Sequence, residues 1–214
     1  MSRPAGRRSP GRPAGASGDR TRERILAVAL ETFANDGLAG ASVRGIAHKA
    51  RIRVSTLYHY FESKEALYHE VQSHVQEQIR ELVVSALGRD LDFRDLTREV
   101  VGGLFDLFCE QRAYLQLGHR SAVDGGPPLA AQGQLAERWL GFVEGTLGPA
   151  ERRGDIEAIS PVHFMVTIDA LVHWHITNEP LYKQLLGRGF EDAELREQTR
   201  EHVIGVALRT LGLD

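Results

Sequence analysis

Three short helical patterns follow one another within residues 21–70, and only a tight break separates the second pattern from the third. Apolar residues at helical spacing predict the first helix, and Asn35-Asp36-Gly37 ends it. Ser42 caps a second helix that reaches about Ala50, and a third helix covers about 54–60. This order of elements predicts a helix-turn-helix, in which the third helix enters the major groove of DNA and the second braces it.

The rest of the chain also has helical spacing, and no segment shows strand alternation with hairpin turns. Gly148-Pro149 is expected to end one of these helices. The later helices are predicted at about 64–87, 92–109, 112–122, 129–147, 161–178 and 191–211. We therefore predict an all-α fold of about nine helices. Residues 1–18 would form an arm, 19–68 the helix-turn-helix domain, and 69–214 a larger helical domain.

Charge is unevenly distributed, although the formal charge of the whole chain is only −3. Residues 1–64 contain 12 basic and five acidic residues, whereas residues 65–214 contain 14 basic and 24 acidic residues. A basic first third on an otherwise acidic chain indicates contact with a polyanion, either nucleic acid or a membrane surface.

The first 18 residues contain no aromatic or branched apolar side chain to bury, so we predict a disordered arm. Its positive charge comes from Arg3, Arg7, Arg8 and Arg12. Such an arm either reaches the phosphates or the minor groove of DNA, or is a solvated tail without a role. The sequence leaves both interpretations open.

Hydrogen-bonding and aromatic side chains occupy the positions that would meet DNA. Thr56, Tyr58, His59 and Tyr60 lie around the outward side of the third helix. Arg44 extends from the second helix, and Arg51 and Arg53 bracket the turn. Lys64 follows the Ser63 cap, where backbone N–H groups already favour an anion. The alternative is a three-helix packing unit with a polar surface, which the basic charge of the segment disfavours.

Four strings carry a specific resemblance: Thr21-Arg22-Glu23-Arg24-Ile25-Leu26, Phe33-Ala34-Asn35-Asp36-Gly37, Ser42-Val43-Arg44-Gly45-Ile46-Ala47 and Thr56-Leu57-Tyr58-His59-Tyr60-Phe61-Glu62-Ser63-Lys64-Glu65-Ala66-Leu67. Together they resemble the DNA-binding domain of the TetR family of bacterial transcription regulators. The match is continuous over about residues 21–68. Beyond residue 70, only the length and the helical layout are similar to the family.

The resemblance implies a role for each matching position. Leu57 and Phe61 should lie in the core, and Tyr58 and Lys64 should touch phosphate. The residues expected to face bases or backbone are Arg44, Ser55, Thr56, His59 and Tyr60.

Two positions at the turn depart from the family pattern. The family usually places Gly at the turn and Ser at the cap before the third helix, where this sequence has Arg51 and Arg53. Losing a Ser cap costs about 1 kcal/mol, and a non-Gly residue at positive φ costs a similar amount. Phosphate contacts from the two arginines could offset this cost in a DNA complex.

The larger domain resembles, by its layout, the ligand-binding and dimerisation domain of the same family. The resemblance implies a homodimer that pairs its last two long helices. Residues 161–178 are apolar nearly all round, which is consistent with burial on several sides. The predicted dimer contacts are Leu171, Trp174, His175, His202, Val203, Val206, Ala207 and Thr210. The alternative, an ordinary buried helix pair, is disfavoured because a single recognition helix binds DNA weakly.

A cavity for a small, largely apolar effector is expected among the central helices. Its predicted lining is Phe105, Phe108, Cys109, His119, Trp139, Phe142, Met165, Asp169 and His173. For any single aromatic residue in this set, simple core packing is an equally good explanation. Asp169 and His173 are spaced i,i+4, so they either pair with each other or form a polar anchor in an apolar pocket.

Other classes of function find little support in the sequence. The single cysteine, Cys109, excludes a disulfide framework and a Cys-based zinc cluster. The histidine spacings do not match a helical metal site, and no phosphate loop or nucleophile elbow is present. We therefore predict a cytoplasmic, non-enzymatic protein with no cofactor, no metal and no membrane contact. Its expected partners are a palindromic double-stranded DNA operator, a second copy of the chain and the effector.

The function that these expectations favour is a homodimeric repressor released from DNA by the effector. The alternative is a helical ligand-binding or adaptor protein whose DNA-binding unit is degenerate, which the two turn arginines would explain.

Overall fold

A computed structural model describes residues 14–124 and 127–213 of the chain. Every regular element in these ranges is a helix, which confirms the all-α prediction. The ten helices are α1 (Ala14–Gly40), α2 (Val43–Lys49), α3 (Val54–Tyr60), α4 (Lys64–Leu87), α5 (Phe93–Glu110), α6 (Arg112–Asp124), α7 (Pro127–Arg153), α8 (Pro161–Thr177), α9 (Glu179–Leu186) and α10 (Ala193–Thr210).

Helix α1 begins at Ala14, five residues before the predicted boundary of the arm. The residues from Ala14 to Gly18 carry no proline, so propagation of the helix costs little once its core-facing part has formed. Its other end agrees with the prediction, because Gly37 leaves helical geometry with φ 69° and ψ 175°. Residues 1–13, which hold the four arginines of the predicted arm, lie outside the described residues.

Two predictions about the larger domain are wrong. Gly148-Pro149 does not end α7, which continues to Arg153 with Pro149 inside it. Leu147 and Ala150, on either side of this proline, are buried in a small apolar cluster with Ile156 and Leu211, and this packing offsets the lost backbone hydrogen bond. The short helix α9 was also missed, although Pro180 stands in its first turn, a favoured position for proline.

One continuous apolar core joins the DNA-binding domain to the larger domain. Helix α1 packs against both α4 and α6. The ring of Phe33 meets that of Tyr68 edge-on with 4.9 Å between centroids, and Arg22 forms an ion pair with Glu70. The start of α4 is therefore fixed to the first helix, and displacement of α4 would carry the DNA-binding domain with it.

The C-terminal helix α10 packs against α5 and α8 and closes the larger domain. Val203, Ile204 and Ala207 of α10 are completely or almost completely buried. At the edge of this contact, Asp106 of α5 accepts hydrogen bonds from Arg196 and Arg200, each at 2.9 Å. These charged contacts fix the register of α10 on α5 around an apolar centre.

A buried carboxylate ties α6, α9 and the segment after α9 together. The side chain of Glu179 is only 5% exposed and forms an ion pair with Arg112. Its Oε1 accepts a hydrogen bond from the backbone N–H of Phe190 at 2.7 Å, and Lys183 Nζ lies 3.7 Å away. The hydrogen bond from Arg112, reinforced by the Phe190 amide, lowers the pKa of Glu179 from 4.5 to about 2.

This carboxylate makes the stability of the fold depend on acid pH. Because the folded pKa is depressed, the stabilisation is complete above pH 4.5 and is lost as pH falls towards 2. We expect Glu179→Gln to reduce the free energy of unfolding at pH 7 by about 2 kcal/mol, allowing for the solvent exposure of Arg112. In urea denaturation, the difference from the parent chain should shrink by roughly 1 kcal/mol at pH 3.5. A difference independent of pH would contradict the assignment.

Candidate nucleic-acid interface

The helix-turn-helix is built from two seven-residue helices whose inner sides are buried. Ile46 and Ala47 of α2 and Leu57 of α3 are at most 1% exposed. Ser42 caps α2 by accepting a hydrogen bond from the backbone N–H of Gly45 at 3.0 Å. The predictions of a Ser42 cap and a buried Leu57 are confirmed. Burial of these residues leaves the opposite side of α3 free to face a partner.

The turn between α2 and α3 has the geometry of a Schellman motif. The backbone N–H of Ile52 donates to Ala47 O, and that of Arg51 donates to His48 O, both at 3.0 Å. Arg51 occupies the left-handed position with φ 55°, and within the described part of the chain no other residue except glycine has a positive φ. Arg53 is the N-cap of α3 and makes no side-chain capping bond. Both expected departures at the turn are therefore confirmed.

Replacing Arg51 should reveal the cost of this turn. We expect Arg51→Gly to raise the free energy of unfolding by about 1 kcal/mol, because glycine adopts φ 55° without steric penalty. The matched control is Arg51→Ala, which removes the same charge but keeps the Cβ. Thermal unfolding compares the two variants, and an equal shift for both would show that charge rather than backbone strain governs the turn.

The exposed side of α3 carries the polar and aromatic residues that the sequence singled out. Ser55, Tyr58 and His59 are exposed, with Tyr58 at 49%. Thr56 and Tyr60 are half-buried, and the ring of Tyr60 packs against those of His59 and Phe61. Ser55, Tyr58 and His59 therefore have the most surface to offer a DNA groove, while Tyr60 also supports the domain.

Cations flank this surface on the neighbouring helices. Arg44 on α2 and Arg53 at the start of α3 are exposed. Lys64 is half-buried, and its Nζ donates to the carbonyl oxygen of Ala41 at 3.2 Å. Ser63 caps α4 through the backbone N–H of Ala66 at 3.0 Å. An ammonium carries two further donors, so Lys64 is suited to hold a phosphate beside the start of α4.

The residues predicted to line the effector cavity do not form one site. Phe105 is completely buried and packs edge-on against Phe190, with 5.8 Å between ring centroids. Its predicted ligand contact is wrong, because tight packing leaves no open surface. Phe108 also belongs to this core, and Met165 is half-buried on α8. The side chain of Trp139 lies outside the described residues.

The polar members of that set lie towards α6 and α8. The rings of His119 and His173 meet edge-on at 5.7 Å between centroids, and burial lowers the pKa of His173. Asp169 is exposed, and in the described contacts neither a hydrogen bond nor an ion pair joins it to His173. Burial raises the pKa of the Cys109 thiol to about 11, which keeps it protonated and unreactive at neutral pH.

A crevice of about 90 Å³ instead opens between α4, α5, α7 and α8. Of the predicted cavity residues only Phe142 lines it, while Val83, Leu87 and Phe93 were missed. The signal for them was present in the sequence. Phe93, Leu96, Thr97, Val100 and Val101 stand at helical spacing, and this stripe of α5 turns towards the crevice.

The predicted dimer contacts divide into exposed and buried residues. Trp174 of α8 is 62% exposed, and His202 of α10 is exposed beside the half-buried His175. Leu171, Val206 and Thr210 are half-buried. Val203 and Ala207 are completely buried in the core of the chain itself, so the prediction that they touch a partner is wrong. The exposed Val162 and Val166 were missed and extend the apolar surface around Trp174 along α8.

Within the described ranges, no cluster of His, Cys, Asp or Glu has the geometry to hold a metal ion. The described helices also include none with the length and hydropathy to cross a membrane.

The fold and this surface define a helix-turn-helix transcription regulator, a small DNA-reading domain attached to a helical bundle. Residues 25–71 match the family described as bacterial regulatory proteins, tetR family. The chain is 24% identical over 199 residues to the transcriptional repressor NicS of Pseudomonas putida, which spans 90% of this chain and 93% of NicS. The chain belongs to the TetR family.

Solved structures share the fold along most of the chain. A TetR family regulator from Marinobacter aquaeolei has a TM-score of 0.72 at 19% identity, covering 92% of this chain and 98% of the other. FadR from Bacillus subtilis, solved in complex with stearoyl-CoA, has a TM-score of 0.67 at 17% identity, covering 85% and 97%. At these identities the likeness establishes the helical architecture only.

Proposed function

We propose that this chain is a homodimeric repressor that reads a palindromic operator with paired α3 helices and leaves DNA when an effector binds. The observation that carries the proposal is the α3 surface. Ser55, Tyr58 and His59 are exposed on a short helix whose opposite side is anchored by the buried Leu57. Side chains of this kind on a protruding helix suit base edges and phosphates in the major groove.

The dimer is supported by the unpartnered apolar side of α8. Val162, Val166 and Trp174 are 42–62% exposed on this one helix. Exposed apolar side chains that share a face indicate an interface, and aromatic residues such as tryptophan commonly contribute most of the binding energy. A two-fold axis beside α8 would bury these residues against their copies and place two α3 helices about 34 Å apart.

Helix α4 is the element that can couple an effector to DNA. Its first residue, Lys64, lies at the DNA-binding domain, and its last turns, with Val83 and Leu87, line the crevice. An effector that fits only when α4 is displaced would change the separation of the two α3 helices. Such coupling is reciprocal, so operator DNA must weaken effector binding by the same factor. The FadR complex with stearoyl-CoA supports an effector site in a fold of this kind.

Selection of binding sites from random double-stranded DNA tests the proposal without knowledge of the operator. We expect the purified chain to enrich an inverted repeat with half-site centres about 10 base pairs, or a multiple of a helical turn, apart. Enrichment of a single unpaired half-site would contradict the dimer. No enrichment would favour the alternative of a ligand-binding protein with a degenerate DNA-binding unit.

The basic N-terminal segment offers a separate prediction. A Cβ built at Gly18 of α1 would lie 3.7 Å from the Tyr60 hydroxyl, so the start of α1 lies beside α3. We expect deletion of residues 2–12, which removes Arg3, Arg7, Arg8 and Arg12, to make operator affinity less sensitive to salt. Each lost phosphate contact should reduce the slope of log K against log salt by about 0.9. An unchanged slope would identify the segment as a tail without a role in binding.

A further inference from the structure

The apolar crevice continues outwards into a wider groove with a different lining. Leu87, Phe93, Leu96 and Thr146 belong to both compartments. The inner compartment is apolar except for Thr97 and Thr146. The outer groove, of about 610 Å³, is open to solvent and includes three arginines, Arg89, Arg94 and Arg153. The site therefore has an apolar end and a polar, cationic mouth.

One of the three arginines has no counter-charge. Arg89 forms an ion pair with Glu99 at 2.6 Å, and Arg153 pairs with Asp155 at 2.7 Å. Arg94 is half-buried in the groove lining, and among the described residues no carboxylate or carbonyl pairs with it.

The remaining carboxylate of the mouth is already committed. Asp92 caps α5 by accepting a hydrogen bond from the backbone N–H of Asp95 at 2.8 Å. Arg94 is thus a cation next to an apolar crevice, with its five guanidinium donors available to an incoming group.

We propose that this site binds an acyl chain that ends in an anionic head group. The chain lies in the crevice between α4, α5, α7 and α8, where burial of apolar surface favours it. The head group accepts hydrogen bonds from Arg94 at the mouth, since a guanidinium matches a carboxylate or a phosphate in charge and geometry. That this ligand also releases DNA rests on the proposed function, through the contact of Val83 and Leu87 with the crevice.

Calorimetric titration of the full chain with three eight-carbon probes tests the ligand class. We expect octanoate to bind at least tenfold more tightly than 1-octanol, which has the same chain without the charge. Octanoyl-CoA distinguishes the two sources of the anion, a free carboxylate or the phosphates of an acyl-CoA, and the tighter probe identifies the head group. Equal affinity for octanoate, octanoyl-CoA and octanol, or no binding of any of them, would overturn the proposal.

Two variants assign the ends of the ligand. Arg94→Gln should weaken the anionic probes at least tenfold and leave octanol unchanged, whereas Val100→Trp should fill the crevice and abolish binding of all three. The control is Arg98→Gln, one turn further along α5, because Arg98 pairs with Glu201 and lies outside the site. If Arg94→Gln binds the anionic probes as the parent chain does, the head-group assignment is wrong, even if Val100→Trp fails to fold.

The same proteins separate this inference from the proposed function. Arg94→Gln should bind the selected inverted repeat like the parent chain but resist its release by the anionic probe. Probe binding through Arg94 without any specific DNA binding would refute the repressor and leave the ligand site standing. Specific DNA binding without probe binding would refute the ligand site and leave the repressor standing.

Discussion

Replacing Trp174 with glutamate should turn the dimer into a monomer at micromolar concentrations and lower operator affinity by about 10³-fold. Trp174 is the most exposed apolar residue of α8, at 62%. Truncation of a tryptophan at the centre of an interface typically costs 2 kcal/mol or more, and a two-fold axis applies that cost twice. Each monomer would retain one α3 helix, which cannot occupy both half-sites at once.

Sedimentation equilibrium and fluorescence anisotropy on the same samples measure the two effects. Trp174→Phe should keep most of the dimer, because the phenyl ring retains much of the apolar area. Val84→Glu is the matched control, since Val84 is 49% exposed on α4, away from α8. A glutamate variant at Trp174 that remains dimeric would show that α8 does not form the interface.

Substituting Tyr58 and His59 together by alanine should lower operator affinity by about 10²-fold, since side-chain contacts to bases or phosphates each contribute about 1–3 kcal/mol. Both side chains are exposed on α3, so the thermal unfolding midpoint should not change. Affinity for unrelated DNA should fall much less, because that binding depends on the cations.

His69→Ala provides a control for the loss of an imidazole. His69 is exposed on α4, outside the helix-turn-helix. If the Tyr58 and His59 double variant binds the operator as tightly as the His69 control, α3 does not read the DNA.

The helix-turn-helix could be predicted from the sequence because local signals and tertiary packing agree there. Ser42 and Ser63 cap α2 and α4 with the expected hydrogen bonds, both at 3.0 Å. The two unusual turn residues could also be located, since only one position in such a turn requires a left-handed backbone. Arg51 occupies that position with φ 55°.

The larger domain was less predictable because its features depend on contacts between distant segments. The continuation of α7 through Pro149 depends on burial of Leu147 and Ala150 against Leu211, more than 60 residues away. Val203 and Ala207 lie on an apolar stripe of α10 that faces α5 and α8 of the same chain. A stripe alone does not reveal whether the helix it meets belongs to the same chain or to a partner.

The cavity shows the same limit. Aromatic residues near the middle of the sequence suggested its lining, yet Phe105 fills the core. The crevice forms where the end of α4 meets the beginning of α5 and the later half of α7. Its position follows from how the helices cross, which the spacing of residues within one helix does not specify.

The central claim is that this chain reads DNA sequence through α3. The most direct test is fluorescence anisotropy with the selected inverted repeat and a shuffled duplex of equal length, measured across a salt series. The account predicts a preference for the repeat of about 10³-fold or more that persists at physiological salt. Weak binding that is equal for both duplexes and disappears as salt rises would contradict it, because only the cations would then be acting.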